Sequence, residues 1–129
     1  MTAELGEPGD ELDDARLAQV EATLGSARLH ALLDVLRQRL KRLPGIAAAL
    51  PDSAGALRFL VHQGRGSAAS LGLVRLARGL DALETILSQT GADTDLGDRL
   101  WGERIVEKIR AIEDDFESGY KLIEARRGI

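Results

Sequence analysis

Cysteine is absent from this chain, which excludes disulfides, thiolate metal sites and cysteine nucleophiles and suits a reducing compartment. Aromatic residues make up only 3% of the sequence, whereas 44% of the residues are hydrophobic. This composition predicts a helical interior filled by Leu, Ala, Val and Ile. The formal net charge of -4 argues against nucleic acid as a partner, because binding to a phosphate backbone requires a basic surface.

Long hydrophobic runs are absent as well. No apolar stretch approaches the roughly 20 residues of a membrane span, and the acidic N-terminus MTAELGEPGDELDD lacks the apolar core of a signal peptide. We therefore expect a cytoplasmic protein with no membrane partner. A length of 129 residues fits one domain. We predict a flexible leader over residues 1–9 and a single helical domain over residues 10–129.

The apolar residues recur with helical spacing, and no stretch alternates as a half-buried strand does. Capping and stop residues bound the predicted helices, which run from Asp10 to Gly25, from Ser26 as N-cap to Pro44-Gly45, from Asp52 or Ser53 to about Leu71, from Gly72 to Thr90-Gly91, and from about Asp95 to Arg127. Leu32 and Leu100 are predicted to belong to the apolar stripes, and Gly119 is expected to weaken the last helix. The short connections predict an all-α fold, an up-down-up-down antiparallel four-helix bundle with an additional N-terminal helix.

One histidine lies in an unusual setting, the small-residue stretch LVHQGRGSAASLG of the third helix. On a helical wheel His62 points away from an apolar side formed by Leu57, Leu60, Gly64, Ser67, Ala68 and Leu71, so we expect it to face solvent. Its own side carries residues that are small, aromatic or cationic, namely Gly55, Arg58, Phe59, Arg65, Gly66 and Ala69. We expect Gly64 to permit close helix contact and Gly66 to leave space for a partner.

These residues resemble the signature of the histidine phosphotransfer domain family. In that family a histidine is followed three residues later by Lys or Arg, then by a glycine, a run of small residues and a second glycine, as in His62, Arg65, Gly66, Ser67 and Gly72. The sequence departs from the pattern at Gly64, where the family usually has a large apolar residue. The resemblance extends from about Ser26 to Phe116, because the family's domains are similar four-helix bundles with an exposed histidine.

The resemblance implies that His62 accepts a phosphoryl group, and imidazole nitrogen is a suitable nucleophile. Arg65 is expected to offset the phosphoryl charge, with Arg58 a weaker candidate for the same task. Glu84 resembles a glutamate of chemotaxis-kinase phosphotransfer domains that hydrogen bonds to the histidine and orients the imidazole. Arg58, Phe59, Gly66 and Ala69 are the expected partner-binding residues.

The implied function is that of a phosphorelay intermediate, a phosphoryl carrier rather than a self-sufficient enzyme. The expected partners are a response-regulator receiver domain, whose aspartate exchanges the group, and a sensor histidine kinase. We expect no cofactor or metal ion in this chain, and Mg²⁺ to arrive with the receiver domain. The alternative is a non-catalytic bundle that binds a receiver or kinase domain as a regulatory interaction module. A metal-centred bundle enzyme is disfavoured, because neither histidine has a glutamate three residues before it.

Other conspicuous residues are interpreted as structural. We expect His30 to have a structural or surface role, Trp101 to pack in the core or at the bundle end, and Ser67 and Ser70 to ease helix contact. The basic run Arg37, Arg39, Lys41 and Arg42 is interpreted as complementing the dipole at a helix C-terminus rather than as a partner patch.

Overall fold

The computed structural model describes the backbone of residues 11–89 and 95–127 and the side chains of residues 11–89 and 100–126. It contains five helices: α1 (Asp14–Leu24), α2 (Ser26–Ala47), α3 (Ala54–Ser70), α4 (Val74–Ser88) and α5 (Asp95–Arg127). No strand occurs in this part of the chain, so the all-α prediction is confirmed. None of its helices is both long and apolar enough to cross a membrane. The predicted leader over 1–9, the cap Asp10 and the stop Thr90-Gly91 lie outside the described residues.

The apolar stripes meet in one cluster of buried side chains. Each of the helices from α2 to α5 contributes a fully buried residue to it, as Leu33, Leu57, Leu80 and Ile112 illustrate. Removing each such side chain from water stabilises the fold by about 1.5–3 kcal/mol. Four of the helices form a ring of contacts: α2 packs on α3 and α5, and α4 packs on the same two helices. The first helix, α1, packs on α2.

The first helix begins later than predicted, at Asp14. Asp13 is its N-cap and accepts a hydrogen bond from the backbone N–H of Arg16 at 3.0 Å, which satisfies one of the free donors of the first turn. The backbone N–H of Asp13 also donates to the carbonyl of Gly72, at 2.7 Å. Gly72 has a φ of +80°, so the turn predicted there is confirmed, and the same turn anchors the start of α1.

The second helix differs from its prediction at both ends. Ser26 is the first helical residue rather than the N-cap, because Gly25, with a φ of +89°, occupies the cap position. The Ser26 hydroxyl instead donates to Glu21 at 2.8 Å. The predicted stop at Pro44-Gly45 is also wrong, since α2 continues to Ala47. Pro44 lacks the N–H that would donate to Leu40, but its own carbonyl still accepts from Ala48 at 3.0 Å, so the last turn of the helix is retained.

Two leucines assigned to the stripes lie on the surface: Leu32 is 39% exposed and Leu100 is 51% exposed. Val61, which the wheel did not place in the apolar side, is fully buried. Gly119 does not interrupt α5, because the helix is continuous and the Leu73 side chain packs against this glycine. A Cβ added at Gly119 would lie 3.1 Å from that side chain, so the glycine permits close packing.

Candidate functional site

His62 lies near the middle of α3 with 62% of its side chain exposed, which confirms its predicted orientation. The opposite side of the helix is buried through Leu57, Val61, Gly64 and Ala68. Burial of that face fixes the rotation of α3 about its axis. The imidazole is therefore held at the surface by the burial of the other side of its helix.

The neighbouring helix α4 brings Glu84 to the histidine. Gly64 faces α4, and a Cβ added there would make an ordinary contact with Leu80 at 3.5 Å, so the two helices pack together at a small residue although the spacing would also accept alanine. Glu84 follows the fully buried Leu83 and has 23% of its own side chain exposed. This edge position turns its carboxylate toward α3.

The Nδ1 atom of His62 lies 2.9 Å from the Oε2 atom of Glu84, a normal hydrogen-bond distance. A hydrogen-bonded carboxylate orients an imidazole ring and fixes the nitrogen that carries the proton. The two residues that the sequence analysis associated are thus brought together, although 22 positions separate them.

Arg65 lies on the same side of the ring as Glu84. Its Nε atom is 2.9 Å from Glu84 Oε1 and its Nη1 atom is 3.6 Å from Asp81 Oδ1. The Nε–Oε1 contact is an ion pair without the alignment of a hydrogen bond, and both atoms are shielded from water. Asp81 was missed by the sequence reasoning, although its spacing of three residues from Glu84 places the two carboxylates together on α4.

The two contacts of His62 Nδ1 require different tautomers of the imidazole ring. This atom is 3.3 Å from Arg65 Nη2, which only donates, and 2.9 Å from Glu84, which accepts when ionised. One nitrogen cannot donate to Glu84 and accept from Arg65 at the same time. We assign the proton to Nδ1, because the glutamate contact is the shorter. This tautomer leaves the lone pair on Nε2.

A shallow surface cavity of about 350 Å³ lies beside the imidazole, lined by Gly55, Arg58, Phe59, His62 and Glu84. Phe59 is 62% exposed, so an aromatic ring faces solvent next to the histidine. Arg58 is exposed too, and among the side chains of residues 11–89 and 100–126 no carboxylate forms an ion pair with it. The cavity thus combines the His62 imidazole, the Phe59 ring, the Arg58 guanidinium and the Glu84 carboxylate.

The small residues of this surface are not required by packing. A Cβ added at Gly66 would meet nothing within 4 Å, and the same holds at Gly55. Ala69 is exposed on the same helix. The four predicted partner-binding residues, Arg58, Phe59, Gly66 and Ala69, therefore all lie on the surface of α3.

The remaining residues singled out from the sequence are structural. His30 is half-buried and its Nε2 atom contacts the Tyr120 hydroxyl. Trp101 is half-buried and donates to the Ile86 carbonyl at 2.8 Å, as expected of a packing residue. Ser67 accepts a hydrogen bond from Arg39 at 3.3 Å, which joins α3 to α2.

The helix-dipole interpretation of the basic run is wrong, because α2 extends to Ala47 and no basic residue lies in its last turn. Arg37 instead donates two hydrogen bonds to Glu117 on α5, at 2.9 and 3.0 Å. Its guanidinium also lies 4.4 Å from the centre of the Tyr120 ring. The Glu117 hydrogen bonds raise the pKa of Arg37 further above its usual value. This arginine joins two helices.

Comparison with known proteins identifies no relative. No protein-family model matches the chain, and neither the curated proteins nor the solved structures contain a significant match. Within the described part of the chain, no group of three or more histidine, aspartate or glutamate side chains is placed to hold a metal ion.

Proposed function

We propose that this protein is a phosphorelay intermediate of the histidine phosphotransfer type, with His62 as the phosphoryl acceptor. The observation that carries the proposal is the exposed imidazole whose Nδ1 atom lies 2.9 Å from Glu84. A surface histidine without a role needs no oriented ring and no adjacent cavity. The packing order of α2 to α5 supports an antiparallel four-helix bundle, the arrangement in which such domains display their histidine.

The proposed reaction uses the lone pair on Nε2 of His62. It attacks the phosphorus of a receiver aspartyl phosphate, the bond between phosphorus and the aspartate oxygen breaks, and the aspartate leaves as a carboxylate. The bond formed is Nε2–P, and no proton is transferred, because Nδ1 keeps its hydrogen. The imidazole becomes cationic, so the Glu84 carboxylate beside Nδ1 offsets the new charge.

The partner surface in this proposal consists of Arg58, Phe59, Gly66 and Ala69 around the histidine. Phe59 supplies apolar contact area, and the two small residues let the partner backbone approach the imidazole. The receiver domain or kinase is proposed to bring Mg²⁺, which neutralises phosphoryl charge during transfer. A cytoplasmic location belongs to the same proposal, because such partners act there.

The test is incubation with radiolabelled, phosphorylated receiver domains or with a kinase and labelled ATP. We expect label on the protein that is stable in base and lost in acid, as a phosphoramidate bond requires. His62→Gln should retain the fold, because the side chain faces solvent, and should take up no label. Binding of a receiver domain without any labelling of the wild type would contradict the carrier function and support a regulatory interaction module instead.

A further inference from the structure

We propose that Arg58, and not Arg65, is the cation that binds the phosphoryl group, and that Arg65 acts as a positioning residue through Glu84. This assignment rests on the proposed function of His62. It reverses the order of preference in the sequence analysis, where Arg65, three residues after the histidine, is the first candidate for this task and Arg58, four residues before it, the weaker one.

Arg65 already forms ion pairs with two carboxylates. Its guanidinium lies 2.9 Å from Glu84 and 3.6 Å from Asp81, so two negative charges accompany one positive charge. A phosphoryl group that drew Arg65 away would separate Glu84 Oε1, which is shielded from water, from the cation that neutralises it, and a shielded charge without its partner is unfavourable. The ion pair holds one carboxylate oxygen and leaves the other, Oε2, aimed at His62.

Arg65 also contacts the ring nitrogen that is not phosphorylated in the proposed reaction. Its Nη2 atom lies 3.3 Å from Nδ1, the nitrogen that Glu84 occupies. In the proposed reaction the phosphoryl group is attached to Nε2, the ring nitrogen on the other side of Cε1. Arg65 is not among the residues that line the cavity beside His62.

Arg58 has the complementary properties. It lines that cavity together with His62, one helical turn toward the N-terminus of α3. Among the side chains of residues 11–89 and 100–126 no carboxylate forms an ion pair with its guanidinium, and Glu84, which lines the same cavity, pairs with His62 and Arg65 instead. A planar guanidinium donates two parallel hydrogen bonds to phosphoryl oxygens. The adjacent Gly55, around whose Cβ position the space is open, leaves room for such a group.

The two roles are separated by a small phosphoryl donor that needs no partner protein. Potassium phosphoramidate reacts as its zwitterion: Nε2 attacks phosphorus, the P–N bond breaks, neutral ammonia leaves and the Nε2–P bond forms. We would compare wild type, Arg58→Gln, Arg58→Lys and Arg65→Gln, with Arg28→Gln as the matched control on α2. The measurements are the loading rate of His62, and the lifetime of the phosphorylated protein after the donor is removed.

A second readout reports positioning alone. Nitrogen-15 NMR of the His62 ring distinguishes the tautomer with the proton on Nδ1 from the tautomer with it on Nε2. Arg65→Gln should change the tautomer populations of the unphosphorylated protein, because it removes both the ion pair that aims Glu84 and the donor that lies beside Nδ1. Arg58→Gln should leave the tautomer populations as in wild type.

We expect Arg58→Gln to reduce the loading rate or the phosphoryl lifetime roughly tenfold, the loss that follows removal of one charged hydrogen bond. Arg58→Lys should recover much of it, and Arg28→Gln should match wild type. Equal loading and lifetime in Arg58→Gln and wild type would overturn the assignment. So would an Arg65→Gln protein with an unchanged tautomer and a shortened phosphoryl lifetime. Failure of wild type to load at all would contradict the proposed function itself.

Discussion

Glu84 on α4 and His62 on α3 meet at 2.9 Å, between Oε2 and Nδ1. Neither residue reaches the other through local sequence, so the contact depends on the close packing of the two helices at Gly64 and Leu80. The carboxylate is partly buried and ion-paired with Arg65, whereas the imidazole is exposed. The fold thus orients the imidazole through Nδ1 while most of the histidine side chain remains exposed.

Replacement of Glu84 tests this orientation. Glu84→Ala removes the acceptor, so Nδ1 should turn to Arg65 and the lone pair needed for attack should be lost from Nε2 in part of the molecules. We expect phosphoryl loading from phosphoramidate to slow by about 10–100-fold, by analogy with the loss of a carboxylate that orients a metal-binding histidine. Nitrogen-15 NMR should show a higher Nε2–H population. Ring spectra identical to wild type would mean that Glu84 does not orient His62.

Bulk at Gly66 separates partner docking from chemistry. Gly66→Leu places a large side chain in open space, so it should stabilise the protein through helix propensity while obstructing a receiver domain. We expect transfer from phosphorylated receiver domains to fall by more than tenfold and loading by phosphoramidate to stay within about twofold of wild type, because the small donor needs little room. Undiminished transfer from the receiver would show that this surface is not its docking site.

Two glycine-to-alanine changes should have opposite effects on stability. Gly66→Ala adds a methyl group that meets nothing and should raise the free energy of unfolding by about 1 kcal/mol. Gly72→Ala should lower it by at least about 1 kcal/mol, because φ is +80° and the new Cβ would lie 2.9 Å from the carbonyl oxygen of Asp13. Urea denaturation of both variants provides the measurement. Equal stability of Gly72→Ala and wild type would contradict the described anchoring of α1.

Asp115 should make stability depend on pH. Burial raises the pKa of its carboxyl above 3.8, an effect that Arg75 opposes and Glu11 reinforces, with smaller contributions from Lys108 and Asp114. The folded state therefore holds a proton that the unfolded chain releases, and stability falls as the pH rises from 3.8 through the raised pKa.

Asp115→Asn cannot titrate, so its stability relative to wild type should increase with pH across that interval and then level off. Urea denaturation of both proteins from pH 3.8 to 7 measures the difference between their free energies of unfolding. The contributions of the other carboxyl groups are nearly the same in the two proteins and largely cancel in this difference. A difference that stays constant with pH, or that decreases, would contradict the direction of the shift.

The helices could be predicted because leucine spacing reports the buried face directly. The exposure of His62 followed from the same pattern, and so did the edge position of Glu84 beside Leu83. Helix ends were less accurate. Pro44 is a strong stop signal in sequence, yet near the end of α2 it costs one hydrogen bond and the helix continues to Ala47.

The charged contacts of the site could not be predicted, because they depend on the rotation of α4 against α3. Spacing placed Arg65 one turn from His62, but the choice between a phosphoryl group and a carboxylate depends on what lies across the helix interface. Asp81 and Glu84 lie there and pair with Arg65. The signal for Asp81, a second carboxylate three residues before Glu84, becomes informative only once that face of α4 is known to meet the histidine.

The most direct measurement locates the phosphoryl group on the protein. Wild type and His62→Gln would be loaded with phosphoramidate at neutral pH, and the modified atom identified by phosphorus and nitrogen NMR of the ring. We expect one phosphoryl group on Nε2 of His62, with the proton retained on Nδ1, and none on the His62→Gln protein. Phosphorylation on Nδ1, on His30, or on the His62→Gln variant to the wild-type extent would contradict it.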